Sequence, residues 1–99
     1  MLVLKLKYKD LELAIRNNTA LINFCAEWCG SCRMVAPIVE EIAKERADLT
    51  VGKVDVDDSP EIAARFGIDS IPTLIVFKDG KEIDRLVGFK PKGAILCAL

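Results

Sequence analysis

Along LVLKLK, residues 2–7, apolar and basic positions alternate with period two, which predicts a strand. The period changes in KDLELAIRN, residues 9–17, where Leu11, Ala14 and Ile15 fall on one helical face. ALINFCA, residues 20–26, is almost continuously apolar at strand length, as a central strand covered on both sides would be. Beyond CGSC, the segment MVAPIVEEIAKERADL repeats Met34, Val35, Ile38, Val39, Ile42 and Ala43 at three- and four-residue intervals. That spacing predicts a long amphipathic helix with those side chains in the core. Pro37 stands inside it and should kink the helix without ending it, because the periodicity continues past it.

The second half reads the same way. LTVGKVDVD predicts a strand, and SPEIAARF a helix with Ser59 as cap and Pro60 at the first helical position. TLIVFKDGKEIDRLVG predicts two strands joined at Lys78, Asp79 and Gly80, the Asp-Gly pair favouring a tight hairpin. PKGAILCAL closes the chain as a short helix. Strand and helix therefore alternate early, which predicts an α/β fold with a parallel crossover, and the late hairpin makes the sheet mixed.

Length limits this pattern to one domain: 99 residues close a single core and divide poorly into two, so residues 1–99 are expected to form one unit. With 14 basic and 15 acidic residues the formal charge is −1, which offers no electrostatic footprint for nucleic acid or an anionic membrane. No run approaches the roughly 18 to 20 apolar residues of a membrane span. The lysines at every second position of MLVLKLKYK break up any export-signal core, so a cytoplasmic location is expected. Thiols are normally held reduced there, and the cysteines need a role other than stapling.

Cys29 and Cys32 are the candidates for that role. A structural zinc site needs four ligands, usually two such pairs or one pair with histidines. The chain has no histidine, and its other cysteines, Cys25 and Cys97, form no second close pair. As a structural disulfide the pair would contribute only about 2 kcal/mol in the chain-entropy model, against about 3 kcal/mol for a fifteen-residue loop. Position favours a working dithiol. Between a central strand and a long helix, Cys29 falls at the helix amino terminus, where free amides and the helix dipole favour a thiolate. Three residues at about 1.5 Å rise and 100° each bring Cys32 beneath it, one turn inside the helix and more buried. Cys29 would attack a substrate disulfide and Cys32 would resolve the mixed disulfide.

FCAEWCGSCRMVAPIVEEIA resembles the active-site segment of the thioredoxin family, and KVDVDDSPEIAARFGIDSIPTLIVFKDGKEIDRLVGFKPKG resembles the remainder in order and spacing. The resemblance covers nearly the whole chain. It implies a thioredoxin fold, a five-stranded mixed sheet flanked by four helices, and a protein-disulfide reductase or electron carrier needing no bound cofactor or metal. It also implies a thioredoxin reductase as electron donor, a flavoprotein using NADPH or another low-potential source, and disulfide-bearing target proteins, with the chain itself monomeric. Within the active-site motif Trp28, Gly30 and Ser31 accompany the cysteines, and Trp28 would cover the dithiol and help form a docking surface. Pro72 matches the family's cis proline, with Ile71 offering backbone groups to an extended substrate. Gly88 lies beside the substrate groove, Gly67 matches another family glycine, and Lys53 matches the lysine behind the dithiol.

Three positions depart from the family pattern. Ser31 replaces a proline, freeing φ and adding an amide donor and a hydroxyl beside the sulfurs. Asn23 stands where the family usually carries a buried aspartate that moves protons to and from the second cysteine, and asparagine cannot titrate. Resolution should then have a simpler pH dependence than in aspartate-bearing relatives. Cys25 replaces a common aromatic and reads first as a small buried residue, second as a third thiol able to exchange with the pair. Cys97 could link two chains. Asp55, Asp57 and Asp58 read as a solvated strand end. Rival readings are a more specialised or more oxidising oxidoreductase, a redox-gated binding module, and a metal-binding protein using Cys25, Cys29 and Cys32.

Overall fold

The computed structural model describes residues 3–16 and 18–99. Leu2 of the expected first strand and Asn17 of the expected first helix lie outside them. Among the described residues the elements follow in the order β1 Leu4–Lys5, α1 Tyr8–Arg16, β2 Thr19–Cys25, α2 Gly30–Glu45, β3 Thr50–Asp55, α3 Pro60–Arg65, β4 Thr73–Lys78, β5 Lys81–Val87 and α4 Lys92–Cys97. The sheet runs β1-β3-β2-β4-β5. β3 is parallel to both β1 and β2, while β4 is antiparallel to β2 and to β5, so the sheet is mixed as the sequence predicts.

β2 is central, and its continuous apolar run is spent on two cores. Leu21 joins Val51, Leu74 and Val76 beneath Val35, Val39 and Ile42 of α2 and Ile95 of α4. Ala20, Ile22 and Phe24 face the opposite side with Leu11 and Ile15 of α1 and Ile62 of α3. The period of two thus sends Asn23 and Cys25 to the same layer as Leu21, under α2.

Helix α2 continues across Pro37. Its buried stripe is Cys32, Val35, Val39, Ile42 and Ala43. Met34, expected in the core, is instead 59 % exposed. One residue turns a helix by about 100°, and Val35 rather than Met34 is the position that points inward. Ser59 is the N-cap of α3 and Pro60 its first residue, as predicted, but the Ser59 side chain makes no capping hydrogen bond. The hairpin turn is tight: Asp79 and Gly80 both have positive φ, 51° and 86°, the backbone that a two-residue type I′ turn requires.

Gly52 of β3 lies beside Leu4 of β1, its parallel neighbour. A Cβ added there would meet Leu6 Cδ1 at 2.4 Å and the Leu4 carbonyl oxygen at 3.2 Å. Leu6 is buried, so it has little room to swing away. Gly52→Ala is expected to cost about 1–3 kcal/mol of stability, read as a lower urea midpoint at unchanged slope.

Candidate active site

Residues 26–29 carry the chain from the carboxyl end of β2 into α2. The turn is held by the Cys29 amide, which donates to the Ala26 carbonyl at 3.2 Å. Cys29 then sits as the N-cap of α2 in extended backbone, φ −85° and ψ 116°. Its sulfur takes the capping position that a serine or aspartate oxygen would take, accepting the Cys32 amide at 3.3 Å. Ser31 Oγ lies 3.5 Å from the same sulfur and the Ile71 carbonyl oxygen 3.9 Å from it. Cys29 and Cys32 are both buried free thiols, packed with Ala26 beside Cys25, Val56 and Ile71.

The two thiols are pushed in opposite directions. Burial works against ionisation of Cys29, but hydrogen bonds from the Cys32 thiol, the Ser31 hydroxyl and the Cys32 and Ser31 amides outweigh it and lower its pKa. Cys32 is pushed up to about 12, first by burial and then by its hydrogen bond to Cys29, with the Cys29 and Cys25 charges adding to the rise. Ionisation is favoured at the first sulfur and opposed at the second. Ser31→Ala removes one of the donors, so the Cys29 pKa is expected to rise. The pH dependence of iodoacetamide alkylation measures it, and an unmoved midpoint would count against a role for the hydroxyl.

The Ile71–Pro72 peptide is cis. Gly88, at φ 84°, donates its amide to the Pro72 carbonyl at 2.7 Å, which ties the end of β5 to the loop facing Cys29. Gly67, at φ 63°, closes α3 with its amide on the Ala64 carbonyl, which is a turn role. Gly30 opens α2 with nothing within 4 Å of where a Cβ would stand. Trp28 is 67 % exposed, so it is a surface residue and not a core one.

Asp57 was missed by sequence reasoning. Its Oδ2 accepts the Trp28 indole N–H at 2.7 Å. Asp55 Oδ1 accepts the amides of Asp57 and Asp58 at 2.9 and 3.3 Å, and Asp58 pairs with Lys5 at 3.3 Å. The three aspartates are thus a structured turn, not a merely solvated strand end. No spacing in the chain links residue 57 to residue 28. Their contact exists because β3 lies beside β2, with the Val56 amide on the Cys25 carbonyl at 2.9 Å.

Behind the dithiol is a cavity of about 180 Å³ lined by Asn23, Cys25, Cys32, Lys53 and Asp55 among others. Asn23 and Lys53 are paired in register across β2 and β3. Asn23 is 2 % exposed, and its Oδ1 has no hydrogen-bond partner among the described residues. Burial raises the Cys25 pKa, with Lys53 opposing and Asp55 and Cys29 reinforcing the rise.

This arrangement of dithiol, cis proline and mixed sheet has close counterparts. The family model described as Thioredoxin matches residues 2–99. The chain is 59 % identical to the thioredoxin of Mycobacterium tuberculosis over 81 residues, covering 81 % of this chain and 70 % of that protein. With the thioredoxin of Staphylococcus epidermidis the identity is 45 % over 95 residues, 93 % of this chain and 89 % of the relative. The solved structure of Plasmodium falciparum thioredoxin superposes with a TM-score of 0.89 at 32 % identity, covering 96 % of this chain and 94 % of that one. A helix-capping thiol with a second thiol one turn behind it, on this sheet and among these relatives, places the chain in the thioredoxin family, as a thiol-disulfide oxidoreductase that reduces disulfides.

Proposed function

We propose that Cys29, Gly30, Ser31 and Cys32 are the redox centre, a CGSC variant of the family's active-site motif, and that residues 1–99 act as one thioredoxin domain. The observation that carries the reading is the position of Cys29 Sγ at the amino terminus of α2, where it accepts the Cys32 amide at 3.3 Å. A thiolate there attacks one sulfur of a target disulfide, forming a mixed disulfide and releasing the other target sulfur as a thiolate. Cys32 then gives up its proton and attacks Cys29 Sγ, which frees the second target sulfur and leaves the Cys29–Cys32 disulfide. A reductase returns the two electrons.

The timing follows from what holds Cys32 protonated. Besides burial, its pKa is raised by the hydrogen bond to Cys29 and by the Cys29 charge. Both causes vanish when Cys29 is bound covalently to a target, so Cys32 becomes easier to ionise at the step that needs it. Target backbone would run along Ile71, Pro72 and Gly88, with Trp28 as an apolar wall braced by Asp57. Asn23 and Lys53 line the space behind Cys32, and Asn23 puts no titrating carboxyl at position 23, which leaves Asp55 and Glu27 as the carboxylates on that cavity.

Partners on this reading are disulfide-bearing proteins and a thioredoxin reductase drawing on NADPH and flavin or another low-potential donor, in the cytoplasm, with the chain acting as a monomer. The test is reduction of insulin by dithiothreitol with the protein at substoichiometric amounts. Many turnovers per chain are expected. Oxidation of one equivalent without turnover would favour a redox-gated binding module, and zinc or iron in the purified protein would favour a metal-binding one.

A further inference from the structure

Cys25 is left over by this mechanism, yet it is not remote from it. It packs against the cluster formed by Ala26, Cys29 and Cys32. The Cys32 sulfur lies against the Ala26 amide, the residue next to Cys25. Cys25 and Cys32 line one cavity, from which Cys29 is absent. Asn23, whose buried Oδ1 has no partner among the described residues, lines the same cavity, which lies between the sheet and α2 beside the second cysteine. Space of about 180 Å³ gives two sulfurs room to approach where a filled core would hold them apart.

We propose that Cys25 is a second partner for Cys32, and that the oxidised protein converts slowly to a Cys25–Cys32 disulfide with Cys29 released as a free thiolate. The inference rests on the reading of Cys29 and Cys32 as the redox pair. In the step, the Cys25 thiol loses its proton to water and its sulfur attacks Cys32 Sγ. The Cys29–Cys32 bond breaks and the Cys25–Cys32 bond forms, and the electron pair leaves with Cys29. One disulfide is exchanged for another, so no oxidant is needed beyond the target disulfide that oxidised the protein.

Chemistry and placement agree on which sulfur is attacked. Attack on Cys32 expels Cys29, whose departing thiolate is still met by the Ser31 hydroxyl and the Cys32 and Ser31 amides, and a sulfur stabilised as thiolate leaves faster. Attack on Cys29 would expel Cys32, the poorer leaving group. Burial keeps Cys25 mostly protonated, so the exchange is slow beside turnover, on the minutes-to-hours scale of uncatalysed disulfide rearrangement. Its product is a parked state. Cys29 can still capture a target, but Cys32 is no longer free to resolve it until the new disulfide is reduced or the exchange reverses. The device removes reductant capacity when the electron supply fails to keep pace.

The test follows the oxidised full chain, first freed of excess oxidant, over several hours. Alkylation at intervals followed by peptide mapping is expected to find a growing fraction with Cys25 linked to Cys32 and Cys29 alkylated. Cys25→Ser is expected to hold the Cys29–Cys32 disulfide throughout while turning over insulin at the parent's initial rate. In Cys29→Ser, diamide is expected to form the Cys25–Cys32 disulfide directly. An oxidised parent that keeps only the Cys29–Cys32 bond, together with Cys29→Ser that keeps Cys25 and Cys32 as thiols, overturns this inference and leaves the redox-pair reading intact. Absence of a Cys29–Cys32 disulfide and of insulin turnover in the parent overturns both.

Discussion

Replacing Cys32 with serine is expected to convert the protein from a catalyst into a trap. The substitution keeps the size of the side chain one turn inside α2, so the helix and its buried stripe should persist. Cys29 keeps the Cys32-position amide as a donor, because that hydrogen bond comes from the backbone. Attack on a target disulfide therefore still proceeds. A serine hydroxyl is far too weak an acid to supply the second nucleophile near neutral pH, so the mixed disulfide accumulates. Insulin turnover should fall to the rate of dithiothreitol alone, and a covalent complex between chain and target should appear on non-reducing gels and vanish on reduction. Cys29→Ser should lose turnover as completely but form no such complex at residue 29. Equal behaviour of the two variants, both trapping or neither, would contradict the division of labour between the thiols.

The second large effect is expected from Asn23→Asp. Position 23 is 2 % exposed, so a carboxylate there loses most of its hydration, and burial disfavours the charged form. Lys53, beside it in register on β3, offsets part of that cost. The folded-state pKa of the new carboxyl then stands above its unfolded value of about 3.9. For a group raised in this way the native state binds the proton more tightly. The variant should match the parent's stability below about pH 4 and lose stability as pH rises through the folded pKa, by about 1–3 kcal/mol at pH 8. Urea unfolding at pH 4 and pH 8 reads the difference. In kinetics the same substitution adds a further titrating group to the cavity with Cys32, so the rate of mixed-disulfide resolution should gain an extra inflection with pH. Superimposable pH profiles for parent and variant would show that a carboxyl at position 23 takes no part in proton transfer at Cys32.

The departures that make this chain distinctive act on different steps. Ser31 touches the nucleophile, its hydroxyl 3.5 Å from Cys29 Sγ. Asn23 stands at the other end of the reaction, in the space behind Cys32, and Cys25 lines that space without entering the turnover steps. A change of one hydrogen bond to a thiolate is worth about 1.4 kcal/mol, or about 30 mV for a two-electron couple, so the first departure alone suffices to retune the potential.

Periodicity and punctuation determined most of the fold. A run as long as ALINFCA can be buried only between two layers, and the Asp79-Gly80 pair supplies the left-handed backbone of a tight hairpin, so local chemistry alone dictates both features. The dithiol was equally legible, because strand, CxxC and helix adjoin in the chain and three residues of helix bring the second cysteine under the first. Tertiary structure decided what lies across the strands. Met34 and Val35 look alike in an apolar pattern, and only the angle at which α2 docks on the sheet sends one to solvent and the other to the core. Asp57 reaches the Trp28 indole because β3 lies beside β2, a pairing between segments 29 residues apart that neither segment encodes by itself. Cys25 reads as a small buried residue in the chain, and it becomes a neighbour of Cys32 only when the face of β2 that carries it packs against α2.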